Sequence, residues 1–300
     1  MLDMIIVGAG PAGITAAVYA ARKRLEFIVI SKDVGGQTAW SGEIENYTGY
    51  QFISGPELVI KFEEHMKAYN VALKEGSEVS EVARVGGVIR VKAGSNTYES
   101  RTAIIASGKR VKELGASGEK EFKNRGLTYC ATCDAPLFSG KTVAVIGGGN
   151  SALDACLQLM KIAKRIYLIN ILPRLTGDPI MQEKVLASGM VTVLNNTEVT
   201  EIMGDKFVTG IMVKNDGGIK KLDVQGVFVE IGLVPNSQMA IGVDKTASGE
   251  IKVDCHNATN VPGIFAAGDV TDVPEKQIII AAGEGSKAVL SAFRYISQTR

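Results

Sequence analysis

Short apolar runs followed by glycine recur along the chain. Near the N-terminus, MIIV (residues 4–7) predicts a buried parallel strand, because a strand covered on both faces is apolar throughout. The glycine-rich run GAGPAG (8–13), a stretch of helical composition (14–24) and a second apolar run, FIVIS (27–31), come next. This order predicts a β-α-β unit at the start of the chain.

The same order returns about 140 residues later, where residues 141–170 read as strand, glycine turn, helix and strand. Residues 67–107 and 191–215 each contain short β-like runs separated by turn residues. Two further strands, at 226–232 and 263–269, and a C-terminal helix over 276–298 complete the pattern. We therefore expect an α/β fold with two Rossmann-like dinucleotide-binding domains, each with a three-layer sheet and a small β-meander.

Charge and composition narrow the classes of partner. The 33 Lys and Arg residues nearly balance the 32 Asp and Glu residues, so no strong field attracts nucleic acid or anionic lipid. Residues 4–21 carry no charge, but glycine and proline interrupt them and no basic segment precedes them, so we expect neither a signal peptide nor a membrane span. Four cysteines do not form a secreted disulfide framework, and we expect a cytoplasmic protein.

The first glycine run matches the dinucleotide fingerprint. Gly8 permits the turn, Gly10 lets a pyrophosphate approach the backbone, and Gly13 lets the helix pack close to the strand. An acid that holds the ribose is expected about 20 residues on. The second strand ends in Ser31, and Lys32 and Asp33 follow, of which Asp33 could take the place of that acid. The alternative is a tight β-α turn that binds nothing.

The second glycine run, GGGNSA (147–152), allows the same assignment with alanine at the third position. Asn170 ends the following strand and could share hydrogen bonds with a ribose hydroxyl, but it brings no charge. Arg174 is the one basic residue in the next eight, which favours NADH over NADPH. The alternative is a site that no longer takes nicotinamide. The residues expected to line it are Gly147, Gly149, Asn150, Ser151, Ala152 and Asn170.

A third motif, YCATCD (129–134), places Cys130, Cys133 and Asp134 together. A C-x-x-C pair is half of a zinc site, a redox disulfide or a coincidence. Zinc needs a second pair of ligands at suitable spacing, which the remaining candidates do not supply: Cys156, Cys255, His256 and His65. We therefore expect no metal, and favour a redox pair to which Asp134 could deliver a proton.

These motifs occur together in a known order. GAGPAG, GGQ (35–37), IENYTG (44–49), YCATCDAPLFSGK, GGGNSALDA and GIFAAGDV resemble those of the low-molecular-weight thioredoxin reductases. GVFVEIGLVPN and KQIIIAAGEGSKA are more similar to the flavoprotein subunit of alkyl hydroperoxide reductase. The resemblance spans essentially all 300 residues. The length is that of the free reductase, so we expect none of the additional N-terminal thioredoxin-like domains of the peroxide-reductase subunit.

The resemblance implies an FAD-binding domain (1–112 and 241–300) with an inserted NAD(P)-type domain (113–240) that carries the C-x-x-C. It implies that Cys133 faces the flavin, that Cys130 attacks the disulfide of a partner, and that Asp134 is the acid and base. The residues that it implies for FAD are Gly8, Gly10, Pro11, Ala12, Gly13, Ser31, Lys32, Gly36, Gln37, Asn46, Gly268, Asp269, Lys276, Gln277 and Ile278.

The implied activity is an FAD-dependent disulfide reductase, a homodimer, that passes electrons through the Cys130–Cys133 disulfide to a thioredoxin- or glutaredoxin-like protein. The H-R-R-x-x-x-R run of the NADPH-using reductases is replaced by NILPRLTG. NADH is therefore expected as the donor over NADPH, with ferredoxin or a reduced deazaflavin as rivals. The alternatives are a flavin dithiol oxidase that acts on a small molecule with oxygen as acceptor, and a non-enzymatic flavin-binding redox sensor.

Overall fold

The computed structural model describes residues 1–41 and 43–298. The chain divides into two compact units, the first formed by Met1–Arg110 with Val234–Arg300 and the second by Val111–Leu233. The second unit is thus an insertion in the first. This arrangement agrees with the α/β fold class that the sequence predicts.

Helices and strands alternate along most of the chain. Up to the insertion they are β1 (Leu2–Ala9), α1 (Pro11–Arg22), β2 (Phe27–Val34), β3 (Glu43–Ile44), β4 (Ile53–Ser54), α2 (Gly55–Lys67), β5 (Leu73–Lys74), β6 (Val79–Val85), β7 (Val88–Ala93), β8 (Asn96–Ile105) and β9 (Lys109–Val111). Within it follow α3 (Glu119–Phe122), β10 (Leu127–Thr128), α4 (Ala131–Asp134), β11 (Thr142–Ile146), α5 (Asn150–Leu159), β12 (Arg165–Ile169), α6 (Pro179–Ala187), β13 (Val191–Leu194), β14 (Glu198–Gly204), β15 (Val208–Asn215), β16 (Gly218–Leu222) and β17 (Gly226–Val229). Strand β18 (Leu233–Pro235) crosses its second boundary. After it come β19 (Ile264–Ala266) and α7 (Ile278–Gln298).

The sheet of the first unit joins a parallel part to an antiparallel part. Its strand order is β5-β2-β1-β8-β7-β6, with β19 also paired to β8. The β1, β2, β5, β8 and β19 pairings are parallel, whereas β6, β7 and β8 form an antiparallel meander. The carboxyl ends of the parallel strands therefore lie at one edge, where ligands of open α/β sheets bind.

Alternation along β1 explains its continuous apolar sequence. Met4 and Ile6 pack into one buried cluster with α1 and α7, while Ile5 and Val7 pack into another on the opposite face. Because successive strand side chains point to opposite faces, a strand buried on both sides needs apolar residues at every position.

The second unit repeats this design with a parallel sheet of order β10-β17-β11-β12-β13. Along β11, Val143 and Val145 belong to one buried cluster and Ala144 and Ile146 to the other. A separate antiparallel sheet, β14-β15-β16, forms the predicted meander. Helix α6, which the sequence analysis did not identify, follows β12 and is capped by Asp178.

The second boundary between the units differs from the expected one. The sequence pattern places it between residues 240 and 241, whereas the chain returns to the first unit at Val234. Residues 234–240 belong with the first unit because Val82 N donates to Met239 O at 2.7 Å and Ala240 is buried beside Val82. Among the described residues, no helix has the length and apolar character that crossing a bilayer requires.

Close packing of α1 against α7 depends on small residues. A β-carbon on Gly285 would lie 2.0 Å from the carbonyl oxygen of Ala12, far inside van der Waals contact. Gly283, two residues earlier on α7, has no atom within 4 Å of its β-carbon position. The two glycines therefore provide a matched pair for a packing test.

We expect Gly285→Ala to destabilise the protein by about 1–3 kcal/mol, because the added methyl forces the two helices apart. Gly283→Ala should instead stabilise it, by up to about 1 kcal/mol, because alanine is the better helix former. Urea unfolding of both variants at pH 7 measures the difference. Equal effects would show that the α1–α7 contact is not tight.

Candidate dinucleotide and redox sites

The first glycine turn connects β1 to α1 in the way that a dinucleotide site requires. A β-carbon on Gly8 would lie 2.3 Å from Ala106 O, and one on Gly13 would lie 1.9 Å from Gly8 O. Gly10, by contrast, has no atom within 4 Å of its β-carbon position, and it begins α1 without a side-chain cap. Two glycines thus close the turn, and the third leaves open space at the helix N-terminus, which fits a pyrophosphate.

Other predicted FAD residues lie around this turn. A β-carbon on Gly36 would lie 3.6 Å from the α-carbon of Gly10, and one on Gly268 would lie 3.0 Å from the β-carbon of Ala12. Pro11 occupies the first turn of α1, where its missing N–H leaves no unpaired donor. The structure therefore brings residues from three separate stretches of sequence together.

Ser31 and Lys32 sit differently from the remaining predicted residues. The Ser31 hydroxyl accepts from Ala9 N at 3.0 Å and donates to Asp33 O at 2.6 Å, so it holds the end of β2 against the end of β1. Lys32 is exposed. Their contact with FAD stays a prediction, and the observed bonds of Ser31 are structural.

A second group joins the segment before α7 to the stretch after β3. Asn46 Nδ2 donates to Gln277 Oε1 at 3.2 Å, and Gln37 Nε2 donates to Lys109 O at 2.9 Å. Gln277 O in turn accepts from Ala281 N at 2.9 Å, close to Ile278, the first residue of α7. The contact between Asn46 and Gln277 thus lies directly before the N-terminus of a long helix, whose dipole favours negative charge.

Lys109, Lys276 and Glu250 form a charged cluster in the first unit, of which the sequence analysis identified only Lys276. Glu250 Oε1 lies 2.5 Å from Lys109 Nζ and 3.4 Å from Lys276 Nζ, and Lys276 Nζ also donates to Thr271 O at 2.6 Å. Burial followed by Lys109 lowers the pKa of Lys276, against the opposing effect of Glu250 and Asp269. Burial raises the pKa of Glu250, but hydrogen bonds from Lys109 and Ser248 and the charges of Lys109 and Lys276 together outweigh it. The net pKa lies below the ordinary value.

Asp269 lies beside this cluster, and burial raises its pKa despite the opposing charges of Lys276 and Lys109. The neighbouring Gly268 N donates to the buried carboxylate of Glu284 at 2.8 Å. Glu284 thus anchors the turn that carries Asp269, another role that the sequence analysis missed. The sequence feature that could have identified Glu284 is an acid among small apolar residues in the AAGEG run.

The second glycine turn lies between β11 and α5. Gly147 has φ +141°, and a β-carbon there would lie 2.3 Å from Glu230 O. Gly149 begins α5 without a side-chain cap, and the nearest atom to its β-carbon position is Thr176 Oγ1 at 4.0 Å. Ala152 is fully buried, while Asn150 and Ser151 are exposed in the first turn of the helix. The helix N-terminus is therefore accessible to a pyrophosphate.

Asn170, whose contact with a ribose stays a prediction, is hydrogen-bonded within the protein. Its Nδ2 donates to Leu172 O at 3.1 Å and to Asn195 Oδ1 at 3.0 Å, while its Oδ1 accepts from Leu172 N at 3.2 Å. The side chain is 3% exposed. These bonds fix the loop after β12, in which Arg174 is exposed. A ribose contact from Asn170 would have to replace or share them.

Cys130 and Cys133 form a disulfide at the N-terminus of α4, with α-carbons 5.3 Å apart. Cys133 N donates to Cys130 Sγ at 3.2 Å. The hydroxyl of Thr128 accepts from Cys130 N at 3.1 Å and donates to Asp134 Oδ2. The three predicted catalytic residues are therefore adjacent, and Thr128 links the carboxylate to the cysteine that begins the motif.

Glu230 is an acid that contacts this motif and that the sequence analysis did not single out. It follows β17, and its Oε1 accepts from Ala131 N at 3.2 Å. Burial raises its pKa to about 7; the Ala131 N–H opposes this effect, and the Asp154 carboxylate adds to it. The sequence feature that could have identified it is an acid at the end of an otherwise apolar strand, in GVFVEIG.

The two cysteines outside the motif differ in exposure. Cys156 is buried in α5 and Cys255 is exposed. Within residues 1–41 and 43–298, no group of three or more His, Cys, Asp or Glu side chains is arranged to hold a metal ion.

Comparison with protein families gives a match over most of the chain. The sequence pattern of the pyridine nucleotide-disulphide oxidoreductases matches residues 2–285. The chain belongs to this family. The resemblance found in the sequence is thereby confirmed, and the protein is an oxidoreductase with a close cysteine pair.

Two relatives are similar to the chain over almost all of its length. The chain is 41% identical to a subunit of alkyl hydroperoxide reductase from Xanthomonas campestris pv. phaseoli, over 99% of its own length and 57% of the relative's. It is 40% identical to an NADH dehydrogenase of Bacillus subtilis, over 98% of its own length and 58% of the relative's. It thus spans less than two thirds of these relatives.

Among solved structures, thioredoxin reductase from Streptococcus pyogenes is similar over 99% of both chains, with a TM-score of 0.93 and 35% identity. The predicted fold class is confirmed by this match. Family membership implies FAD and a nicotinamide cofactor, and the open glycine turns at Gly10 and Gly149 fit dinucleotides.

Titration of Glu230 affects stability in a predictable direction. Folding raises its pKa from 4.5 to about 7, so the ionised carboxylate costs the native state about 3 kcal/mol relative to pH 4. The stability that the neutral form contributes is fully present below pH 4.5 and is lost as the pH rises through 7.

We expect Glu230→Gln, which keeps an acceptor for Ala131 N, to be more stable than the native protein at pH 8 by up to about 3 kcal/mol. At pH 4 the two proteins should be equally stable. Urea unfolding at both pH values measures this difference, and Glu198→Gln on the exposed face of β14 is the control. A difference that is the same at pH 4 and pH 8 would contradict the titration.

Proposed function

We propose that the protein is an FAD-dependent disulfide reductase that takes electrons from NADH and passes them through Cys130 and Cys133 to a thioredoxin- or glutaredoxin-like protein. The observation that carries this proposal is the Cys130–Cys133 disulfide, with Asp134 held by Thr128, in the same unit as an open glycine turn. When bound, FAD supplies the electron pair that opens the disulfide.

The residues of the chain have distinct tasks in this reaction. Two electrons and two protons convert the Cys130–Cys133 disulfide to two thiols. The Cys130 thiolate then attacks the disulfide of the partner, which forms a mixed disulfide and releases one partner sulfur as a thiolate. Cys133 attacks Cys130, restores the internal disulfide and releases the second partner sulfur. Asp134, one residue from Cys133, exchanges the protons that these thiolates take up and lose.

Two features support NADH as the donor. The loop after β12 offers a single basic residue, the exposed Arg174, whereas the 2′-phosphate of NADPH is normally met by arginines. The relative in Bacillus subtilis, 40% identical over almost the whole chain, is an NADH dehydrogenase. Donors other than nicotinamides are separate outcomes of the test below.

Anaerobic addition of NADH to the flavin-loaded protein should bleach the flavin absorbance near 450 nm, a general property of oxidised flavins. Equal amounts of NADPH should reduce the flavin at least about 10-fold more slowly, because the loop after β12 offers its 2′-phosphate a single basic residue, Arg174. Stopped-flow absorbance compares the rates. Faster reduction by NADPH would contradict the choice of donor. Reduction by ferredoxin or deazaflavin, but by neither nicotinamide, would exclude NADH.

Trapping tests the acceptor and the direction of electron flow. In a Cys255→Ser background, which removes the exposed free thiol, Cys133→Ser leaves Cys130 able to attack but removes the sulfur that would resolve the adduct. The partner is a thioredoxin whose resolving cysteine is serine and whose remaining cysteine carries thionitrobenzoate in a mixed disulfide. Cys130 should displace the thionitrobenzoate as a thiolate and form a stable mixed disulfide with the thioredoxin. Cys130→Ser is the matched control and should form none. Non-reducing electrophoresis and mass spectrometry identify the adduct.

Two results would overturn the proposed acceptor. One is equal trapping by both variants. The other is the absence of any adduct, together with oxidation of small dithiols to disulfides by oxygen, which is reduced to hydrogen peroxide. The second result would identify a dithiol oxidase.

A further inference from the structure

The carboxyl of Glu230 is fixed against the start of the helix that carries the cysteine pair. Its Oε1 accepts the N–H of Ala131, the residue that directly follows Cys130. Glu230 N donates to Ile146 O at 2.8 Å, so the residue is held at the end of the parallel sheet. The carboxyl therefore lies next to the main chain of Cys130.

The surroundings of Glu230 bring little compensating positive charge. Asp154 on α5 acts on it as a like charge, and Cys156 on the same helix is a buried thiol whose pKa is raised to about 12 by burial and by Glu230. On the α4 side the titratable groups are Cys130, Cys133 and Asp134. Among the described residues, no lysine or arginine contributes to the shift in the pKa of Glu230.

Helix α5 also contacts the cysteine motif directly. Gln158 Nε2 donates to Asp154 Oδ2 at 2.7 Å and to Thr132 Oγ1 at 3.3 Å, and Thr132 lies between the two cysteines. Asp154, Gln158 and Thr132 thus form a chain of contacts from the neighbour of Glu230 to the motif. The charges that Asp154 and Glu230 bring to this side of the pair are both negative.

We propose that Glu230 is a positioning residue for the Cys130–Cys133 pair, whose ionised carboxylate disfavours the thiolates formed on reduction and whose protonation removes this penalty. Both forms of the carboxyl accept the Ala131 N–H, so the position of α4 does not depend on the proton. Only the charge beside Cys130 changes. Because like charges disfavour each other, a thiolate on the pair also raises the proton affinity of Glu230.

This proton linkage operates near neutral pH. Glu230 titrates at about pH 7, so small changes in pH alter the fraction of ionised carboxylate. When the disulfide opens, a proton can bind to Glu230 instead of to the attacking sulfur. The sulfur then stays a thiolate, which is its reactive form. The inference rests on the redox role proposed for the pair, but its test needs neither donor nor partner protein.

The test is the alkylation of the reduced pair in a Cys255→Ser background, which removes the exposed free thiol. The protein is reduced with dithiothreitol and desalted, and iodoacetamide modification of Cys130 and Cys133 is followed by site-resolved mass spectrometry over the range from about pH 5.5 to 9. Since the thiolate is the reactive form, the rate reports the thiol pKa. The Glu230→Gln variant is compared with the protein that keeps Glu230, and Glu198→Gln is the control.

We expect Glu230→Gln to leave the rate unchanged at about pH 5.5, where the native carboxyl is neutral, and to raise it about 3- to 10-fold between about pH 7.5 and 8.5. Glu198→Gln should give a ratio of one throughout. Asp154→Asn provides a second variant in which Glu230 itself is retained. In this variant the inflection that Glu230 causes in the plot of alkylation rate against pH should begin at lower pH. The reason is that the like charge of Asp154, which raises the pKa of Glu230, has been removed.

Two results would overturn the proposal. A ratio of one at every pH would show that the Glu230 charge does not reach the sulfurs. A constant ratio other than one, with no inflection near pH 7, would show a purely structural role. Neither depends on electron transfer, so a failure here is distinguishable from a failure of the reductase reaction. That reaction is tested separately, by flavin bleaching and by the mixed disulfide.

Discussion

The close approach of α1 to the end of β1 is the constraint on which the first unit depends. Gly13 lies so close to Gly8 O that no β-carbon fits between them, and Gly285 brings α7 against Ala12 in the first turn of α1. This contact places the N-terminus of α1 at the carboxyl edge of the sheet. It also places Gly36 and Gly268 beside the same turn. One steric requirement therefore builds the edge at which a dinucleotide binds.

The second unit uses the same requirement and adds chemistry to it. Gly147 packs against Glu230 O, which ties the glycine turn to the end of β17. The side chain of Glu230 then extends to Ala131, at the start of the cysteine helix. The main chain and the side chain of a single residue thus connect the candidate nicotinamide turn to the disulfide.

Much of the fold could be predicted from the sequence because its signals are local. The continuous apolar runs of β1 and β11 reflect burial on both faces, and the glycine spacing after them reflects sterics within a few residues. The C-x-x-C pair is likewise local, and it forms the expected disulfide. The helix α6 was not predicted because its burial is slight: Val185 is its one buried side chain in the described residues.

The rest of the sites could not be predicted because their contacts are distant in sequence. The hydrogen bond between Lys109 and Glu250 joins residues that are 141 positions apart in sequence, and the bond between Ala131 and Glu230 joins residues that are 99 positions apart. The hydrogen bonds of Asn170 have the same cause. Its position at the strand end predicts a ribose contact, and that contact stays a prediction. The bond from its amide to Asn195, 25 residues away in sequence, has no local signal.

The presence of an acid at position 230 has an energetic consequence that bears on its role. A largely buried carboxylate whose pKa is raised by burial and by a second acid destabilises the native state whenever it is ionised. A glutamine would provide the same acceptor for Ala131 N without that penalty. Hydrogen bonding to α4 therefore does not by itself require an acid, whereas a proton that moves near neutral pH does. The charge of Glu230, rather than its hydrogen bond, is what distinguishes it from an isosteric amide.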